Sequence, residues 1–210
     1  MFRICFIDDD EKFEIPLFCD VFGEDFDIVT ATGYAELKSQ IDSRKDWTPD
    51  LFVLDLYFPS GPANQDAIEA LKAEPLLLEN DKAKIRAAYR NYLRAGERFH
   101  SILKAWNQNA YGGLKLAETV SADYPKVPVV FYSRKATLEE SIRCMAAENV
   151  WWVEKKPTGR NAAETIELTK SAKQRIALRL EAAISNVDSG KVKRLKEAAK
   201  ILTENLPEFG

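Results

Sequence analysis

The run PDLFVLDLYFPSG, residues 49–61, decides the fold. At its centre Val53-Leu54-Asp55-Leu56 places one carboxylate after an unbroken apolar approach, and Pro59-Ser60-Gly61 break the chain just beyond it. A short apolar run bounded by turn residues reads as a strand buried on both faces, the kind that parallel sheets use. Asp55 then falls near the carboxyl end of that strand, the edge at which open α/β sheets gather ligands and chemistry. An acid in such a place is either a satisfied residue at a loop junction or a functional group. The choice turns on which other segments bring partners to the same edge.

Working outward, Phe2 to Ile7 (FRICFI) reads as a first buried strand that ends in Asp8-Asp9-Asp10-Glu11. Helix signals run from Glu11 to about Phe22, with Pro16 near the first turn, where a missing N–H is tolerated. Phe26 to Ala31 alternates and is β-rich, a second strand. Tyr34 to Ile41 is a short amphipathic helix before the strand that carries Asp55. Past a long intervening region, Leu114 to Ala122 is helical and Pro128 to Tyr132 (PVVFY) is a fourth strand followed by Ser133. Leu138 to Ala147 is a helix, and Val150 to Val153 (VWWV) is a fifth strand followed by Glu154, Lys155, Lys156 and Pro157. A long helix spans Asn161 to about Val187, Asp188-Ser189-Gly190 break it, and a short amphipathic helix closes the sequence.

The region 61–111 departs from the βα rhythm, whose connections are normally a few residues long. One helical piece around Ala67, Ile68 and Leu71 stops at Pro75. Asn80 or Asp81 can cap a second, whose apolar residues Ile85, Tyr92, Phe99 and Trp106 recur at the seven-residue spacing of a helix packing along one seam. This is the pattern of an inserted helical hairpin.

The bulk properties narrow the function. With 210 residues, a net charge of -3 and a pI near 5.5, the chain has no basic excess to suggest nucleic acid or membrane as partner. Three scattered cysteines show no metal-ligand spacing, no signal sequence is evident, and no apolar run approaches the ~20 residues of a membrane helix. A cytoplasmic protein is expected. The single histidine, His100, argues against His-based metal sites and Ser-His-Asp catalysis.

Three strand ends carry Asp8-Asp9, Asp55 and Lys155-Lys156, and a fourth carries Ser133. In a parallel sheet these ends share one edge. Clustered carboxylates are costly unless neutralised, and Mg²⁺ is typically held by one or two carboxylates plus phosphate oxygens and water. A Lys and a Ser beside them suit a phosphoryl group as charge partner and hydrogen-bond donor. The chemistry implied is phosphoryl transfer onto Asp55 itself.

The stretches FRICFIDDD, PDLFVLDLYFP, VPVVFYSR and VWWVEKKP, in this order, resemble the receiver domain of two-component response regulators. The resemblance covers about residues 1–60 and 112–184. It implies a (βα)5 doubly wound α/β fold of the flavodoxin and CheY type, with strand order 2-1-3-4-5, an inserted helical hairpin and a C-terminal helical tail. The expected boundaries are a receiver over 1–187, interrupted by the 61–111 insertion, and a tail over 188–210. It further implies that Asp55 is the phosphoacceptor, that Asp8, Asp9 and Asp55 hold Mg²⁺ with Asp9 the direct ligand of the acidic pair, and that Ser133 is the switch hydroxyl. Implied partners are a sensor histidine kinase or a histidine phosphotransfer protein and an output protein, with a homodimer as a further option. No DNA-binding output domain and no turnover enzyme on a separate substrate are expected.

The sequence departs from the family pattern in three places. Two lysines precede Pro157 where the family has one. Counting without gaps from Ser133 selects Lys155 and sets Trp152 at the family's aromatic switch position. Counting back from Pro157 selects Lys156 and turns Glu154 inward, a costly placement; the expectation is Lys155, with Lys156 the alternative. Trp152 stands where Tyr or Phe is usual, and its other reading is a core or interface aromatic. The insertion follows Asp55 directly, and Tyr57 is a candidate shield of the acyl phosphate against water. Two other functions compete. One is a receiver-like interaction module that works without phosphorylation. The other is an Asp-nucleophile phosphatase, disfavoured because Tyr57 stands where such enzymes carry a second Asp. Histidine phosphotransfer through His100 is disfavoured because the insertion supplies only two helices.

Overall fold

A computed structural model of the chain describes residues 1–73, 85–147, 150–185 and 189–204. In chain order the elements are β1 (Phe2–Ile7), α1 (Glu14–Phe22), β2 (Phe26–Ala31), α2 (Tyr34–Asp42), β3 (Leu51–Leu54), β4 (Phe58–Pro59), α3 (Gln65–Ala73), α4 (Ile85–Ala105), β5 (Gln108–Asn109), α5 (Ala110–Asp123), β6 (Val129–Ser133), α6 (Leu138–Ala146), β7 (Val150–Lys155), α7 (Ala162–Ile184) and α8 (Ser189–Glu204). They divide into two compact units, one of Met1–Tyr57 with Ala110–Gly210 and one of Phe58–Asn109.

The first unit is built on a five-stranded sheet of order β2-β1-β3-β6-β7, with every pairing parallel. Counted within the sheet this is the order 2-1-3-4-5 expected from the sequence. All four residues of β3 are buried, as its unbroken apolar composition requires of a central parallel strand. On one face Ile4, Phe6, Leu51, Val53, Val130 and Tyr132 alternate inward and meet Phe18 and Phe22 of α1 and Ile176 and Leu180 of α7. The Phe6 and Phe18 rings stack at 4.1 Å. Pro16 sits in the first turn of α1, where no intrahelical donor is lost.

Two local departures from the expected pattern place the site. First, β7 is one residue longer than its pairing with β6 requires. Val129 faces Val150 but Val130 faces Trp152, so Trp151 is the extra residue of a bulge. Every residue after it is displaced by one, and β7 runs on to Lys155 opposite Ser133. Second, α5 begins at Ala110, ahead of the expected Leu114, and its first turn presses on the chain just after Asp55. Gly113 N–H donates to Leu56 O at 3.0 Å, and a Cβ on Gly113 would lie 2.5 Å from that oxygen. Only glycine admits this approach.

In the second unit β4 and β5 pair antiparallel, Phe58 opposite Asn109 and Pro59 opposite Gln108, a two-residue ladder with no signal in composition or periodicity. Ser60 Oγ donates to Asn107 Oδ1 at 2.8 Å, and Arg98 of α4 donates to Leu71 O of α3. The residues of the expected seam, Ile85, Tyr92, Phe99 and Trp106, lie along or just past α4. Tyr92 is 73% exposed. The stop at Pro75, the cap at Asn80 or Asp81 and Asp188 of the expected break lie outside the described residues, whereas Ser189 and Gly190 of that break are the first residues of α8. No described helix is long and apolar enough to cross a membrane.

Candidate functional site

The loops after β1, β3, β6 and β7 meet at one sheet edge. Strand pairing sets the first two: Asp8 N–H donates to Ala31 O at 3.2 Å and Asp55 N–H donates to Ile7 O at 2.9 Å. Asp8, Asp9 and Asp55 each present a carboxylate oxygen within 4.8 Å of the others. Asp8 and Asp55 are buried and Asp9 is half-buried. Asp8 Oδ1 accepts from Asp10 N–H at 2.9 Å, and Asp55 Oδ2 accepts from Tyr57 N–H at 3.2 Å.

The cation of this edge is Lys156, which corrects the expectation of Lys155. Lys156 is 4% exposed. Its Nζ pairs with Asp8 Oδ2 and lies 3.4 Å from Asp55 Oδ1 and 3.5 Å from Glu14 Oε2. Lys155 is exposed and its Nζ donates to Ala136 O at 2.7 Å. The Trp151 bulge is the reason, because counting from Ser133 without a gap lands one residue short. The inward Glu154 that disfavoured Lys156 is present, 1% exposed. Arg175 of α7 donates to its Oε1 at 2.6 Å and Arg179 to its Oε2. A buried carboxylate held by two guanidinium groups avoids most of the cost of an unpaired charge.

Two further groups complete the edge, and sequence reading passed over both. Glu14, in the first turn of α1, is a third carboxylate within ion-pair distance of Lys156, after Asp8 and Asp55. Arg134, next to Ser133, donates through Nε to Glu14 Oε1 at 2.8 Å and through Nη1 to Pro157 O at 2.7 Å. This one side chain ties the loop after β6 to α1 and to the loop after β7. The available signal was topological, since a helix that follows its strand directly has its first turn at the same edge.

The charges shift one another. Burial pushes Asp8 up to about 7, reinforced by Asp55 and opposed by Lys156. Burial alone would lower Lys156, but Asp55, Asp8 and Glu14 outweigh it and hold the ammonium well above its ordinary range. The edge therefore carries a firmly protonated cation among more carboxylates than it can neutralise, an electrostatic deficit that a divalent cation would fill. The donor set is all oxygen and suits a hard ion such as Mg²⁺ or Ca²⁺. Ser133 Oγ is fully buried and has no hydrogen-bond partner among the described residues. A buried hydroxyl at a strand end without a partner is uncommon, and it leaves a donor available at this edge.

Tyr57 and Trp152 are each tied to a glutamate. The Tyr57 ring is buried and its hydroxyl donates to Glu140 Oε1. The same Glu140 closes the capping box of α6 with Thr137. Tyr57 thus links the residue pair after β3 to the start of α6. Trp152 is half-buried, donates to Glu154 Oε2 at 3.3 Å and lies under Arg179 at 5.9 Å. Three residues before Lys156 stands Val153, not an aromatic. His100 lies on α4 in the second unit.

No protein-family profile matches the chain, and no curated protein matches it in sequence. The fold is similar to that of response-regulator receiver domains. The non-phosphorylated HemR receiver domain of Leptospira biflexa is 17% identical, with 88% of this chain and 95% of that one covered at a TM-score of 0.46. A receiver-domain protein of Methanospirillum hungatei is 15% identical over 84% and 98% of the two chains, TM-score 0.42. A response regulator protein of Burkholderia pseudomallei, solved with a phosphorylated aspartic acid, a calcium ion and citrate, is 14% identical over 98% and 94%, TM-score 0.40. At these identities the likeness is one of fold.

Proposed function

We propose that this protein is a response-regulator receiver that accepts a phosphoryl group on Asp55 from a phosphohistidine donor, carried by a sensor histidine kinase or a histidine phosphotransfer protein. The observation that carries the reading is the grouping of Asp8, Asp9 and Asp55 within 4.8 Å, with Lys156 3.4 Å from Asp55 and the partnerless Ser133 hydroxyl at the same edge. An oxygen of Asp55 bonds to phosphorus as the P–N bond to the donor imidazole breaks, and the electron pair leaves on the imidazole nitrogen. Asp8 and Asp9, with Asp55, would hold Mg²⁺, which when bound supplies charge neutralisation for the transferring group. Lys156 provides a fixed, buried positive charge 3.4 Å from Asp55 Oδ1, and preorganised charge acts most strongly where water is excluded. Ser133 donates its free hydroxyl to a phosphoryl oxygen, and the loop after β6 follows it. Arg134, held by Glu14 and Pro157, and α6, held by Tyr57, move with that loop and change the surface offered to an output protein.

A second reading is a receiver-like interaction module that works without phosphorylation. Its support is Val153, which stands three residues before Lys156 where a switching receiver would carry an aromatic ring. One experiment separates the two. The protein is incubated with Mg²⁺ and acetyl phosphate and its mass is measured intact. A single phosphoryl increment that disappears in Asp55→Asn supports the receiver. A wild type that neither gains the increment nor binds Mg²⁺ moves the assignment to the interaction module.

A further inference from the structure

Glu14 stands between the two loops that must respond to a phosphoryl group. It is the first residue of α1 and is buried. Its backbone is fixed by a helix that sets Leu17, Phe18, Val21 and Phe22 in the core. Arg134 reaches one of its oxygens twice, Nε to Oε1 at 2.8 Å and Nη2 to Oε1 at 2.6 Å. That leaves Oε2 toward Lys156 Nζ at 3.5 Å. A single carboxylate therefore holds the cation of the loop after β7 and the side chain next to Ser133 in the loop after β6. Arg134 is held further by Pro157 O and lies over the Phe13 ring at 5.6 Å.

Three carboxylates, Asp8, Asp55 and Glu14, already surround the Lys156 ammonium, as many as it has N–H donors. A divalent cation at Asp8, Asp9 and Asp55 would give two of the three another partner. Glu14 is outside that cluster and keeps its claim on Lys156. A phosphoryl group on Asp55 then meets a second anion at the same ammonium, and neighbouring like charges disfavour one another. Ser133 is restrained at the same time, because its neighbour Arg134 is tied to a helix that the core holds in place.

We propose that Glu14 is a brake on the phosphorylated state: it competes with the phosphoryl group for Lys156 and, through Arg134, holds the Ser133 loop in its unphosphorylated position. The brake presupposes that Asp55 accepts a phosphoryl group, as proposed above.

The test measures binding of fluoroberyllate to the full chain in saturating Mg²⁺. Glu14→Gln keeps the shape and an acceptor for Arg134 but removes the charge. Glu14→Ala also frees Arg134. Glu11→Gln removes an exposed acid of the same segment and controls for net charge. Both Glu14 variants should bind about fivefold or more tightly than wild type, a coupling of ordinary size. Glu14→Ala should bind most tightly, and Glu11→Gln should bind as wild type does. A purely structural Glu14 would leave the affinity unchanged or lower it when replaced, and either result overturns the proposal. An equal gain in Glu11→Gln overturns it too, as a general effect of charge. Failure of wild type and every variant to bind fluoroberyllate overturns the receiver reading, and the brake with it.

Discussion

The ammonium of Lys156 lies 3.4 Å from Oδ1 of Asp55, while Lys155, its neighbour in the chain, turns away to Ala136 O. The pair makes a direct comparison. Lys156→Met removes the cation from a buried group of carboxylates, and breaking a buried pair by deleting one partner costs about 3–5 kcal/mol. Lys155→Met loses one hydrogen bond at the surface, about 1 kcal/mol at most. Denaturant unfolding should show the large loss for Lys156→Met alone, and acetyl phosphate labelling of Asp55 should persist in Lys155→Met and fail in Lys156→Met. Labelling that survives in Lys156→Met and is lost in Lys155→Met would reverse the assignment.

Ser133→Ala separates stability from function. The hydroxyl is fully buried and has no partner among the described residues, so removing it should change unfolding free energy by less than about 0.5 kcal/mol. The phosphorylated state should suffer instead, because Ser133 is the group placed to donate to the phosphoryl oxygens. Expected is near-identical denaturation of the two unphosphorylated proteins, with at least tenfold weaker binding of the phosphoryl analogue fluoroberyllate to Ser133→Ala. A variant that loses stability but binds fluoroberyllate normally would make Ser133 a structural residue.

Asp8 gives the site a pH dependence. Burial raises it from 3.8 to about 7, so between these values the folded metal-free protein holds a proton that the unfolded chain has released. Stability then falls as pH rises through that window, since the folded state binds more protons there. In EDTA the denaturation midpoint should therefore decline from pH 5.5 to pH 8, and Asp8→Asn should flatten the decline. Mg²⁺ requires the deprotonated carboxylate, so its affinity should rise about tenfold between pH 6 and pH 8. Calorimetric titrations showing the same affinity at both values would remove Asp8 from the metal site.

The strands and their order were legible because each is a short apolar run closed by turn residues or charges, and a parallel sheet then leaves few topologies. The carboxylate cluster was legible because Asp8, Asp9 and Asp55 follow their strands directly. The lysine was not, because a bulge at Trp151 adds a residue without any mark in composition. Glu154 compounded the error. An inward carboxylate looks prohibitive until Arg175 and Arg179, more than twenty positions away on α7, are seen to reach it. Glu14 and Arg134 escaped notice for the same reason, since their roles rest on each other, on Lys156 and on Pro157, all brought together from distant segments. Pairing across distant segments is what one-dimensional reading lacks.

The unit Phe58–Asn109 should be removable. Its two ends are paired with each other, Phe58 opposite Asn109 and Pro59 opposite Gln108, so the chain enters and leaves it at neighbouring positions. Closing that ladder with Asn-Gly between Pro59 and Gln108 makes a two-residue hairpin, a connection whose backbone twist suits antiparallel strands. The replacement leaves β3, Asp55, Tyr57 and the close contact of Gly113 with Leu56 O unchanged in sequence. The shortened protein should unfold cooperatively in denaturant, with a smaller slope in proportion to the surface removed, and should bind Mg²⁺ with the affinity of the full chain. Insolubility, or a non-cooperative transition together with lost Mg²⁺ binding, would show that the first unit draws part of its core from residues 60–107.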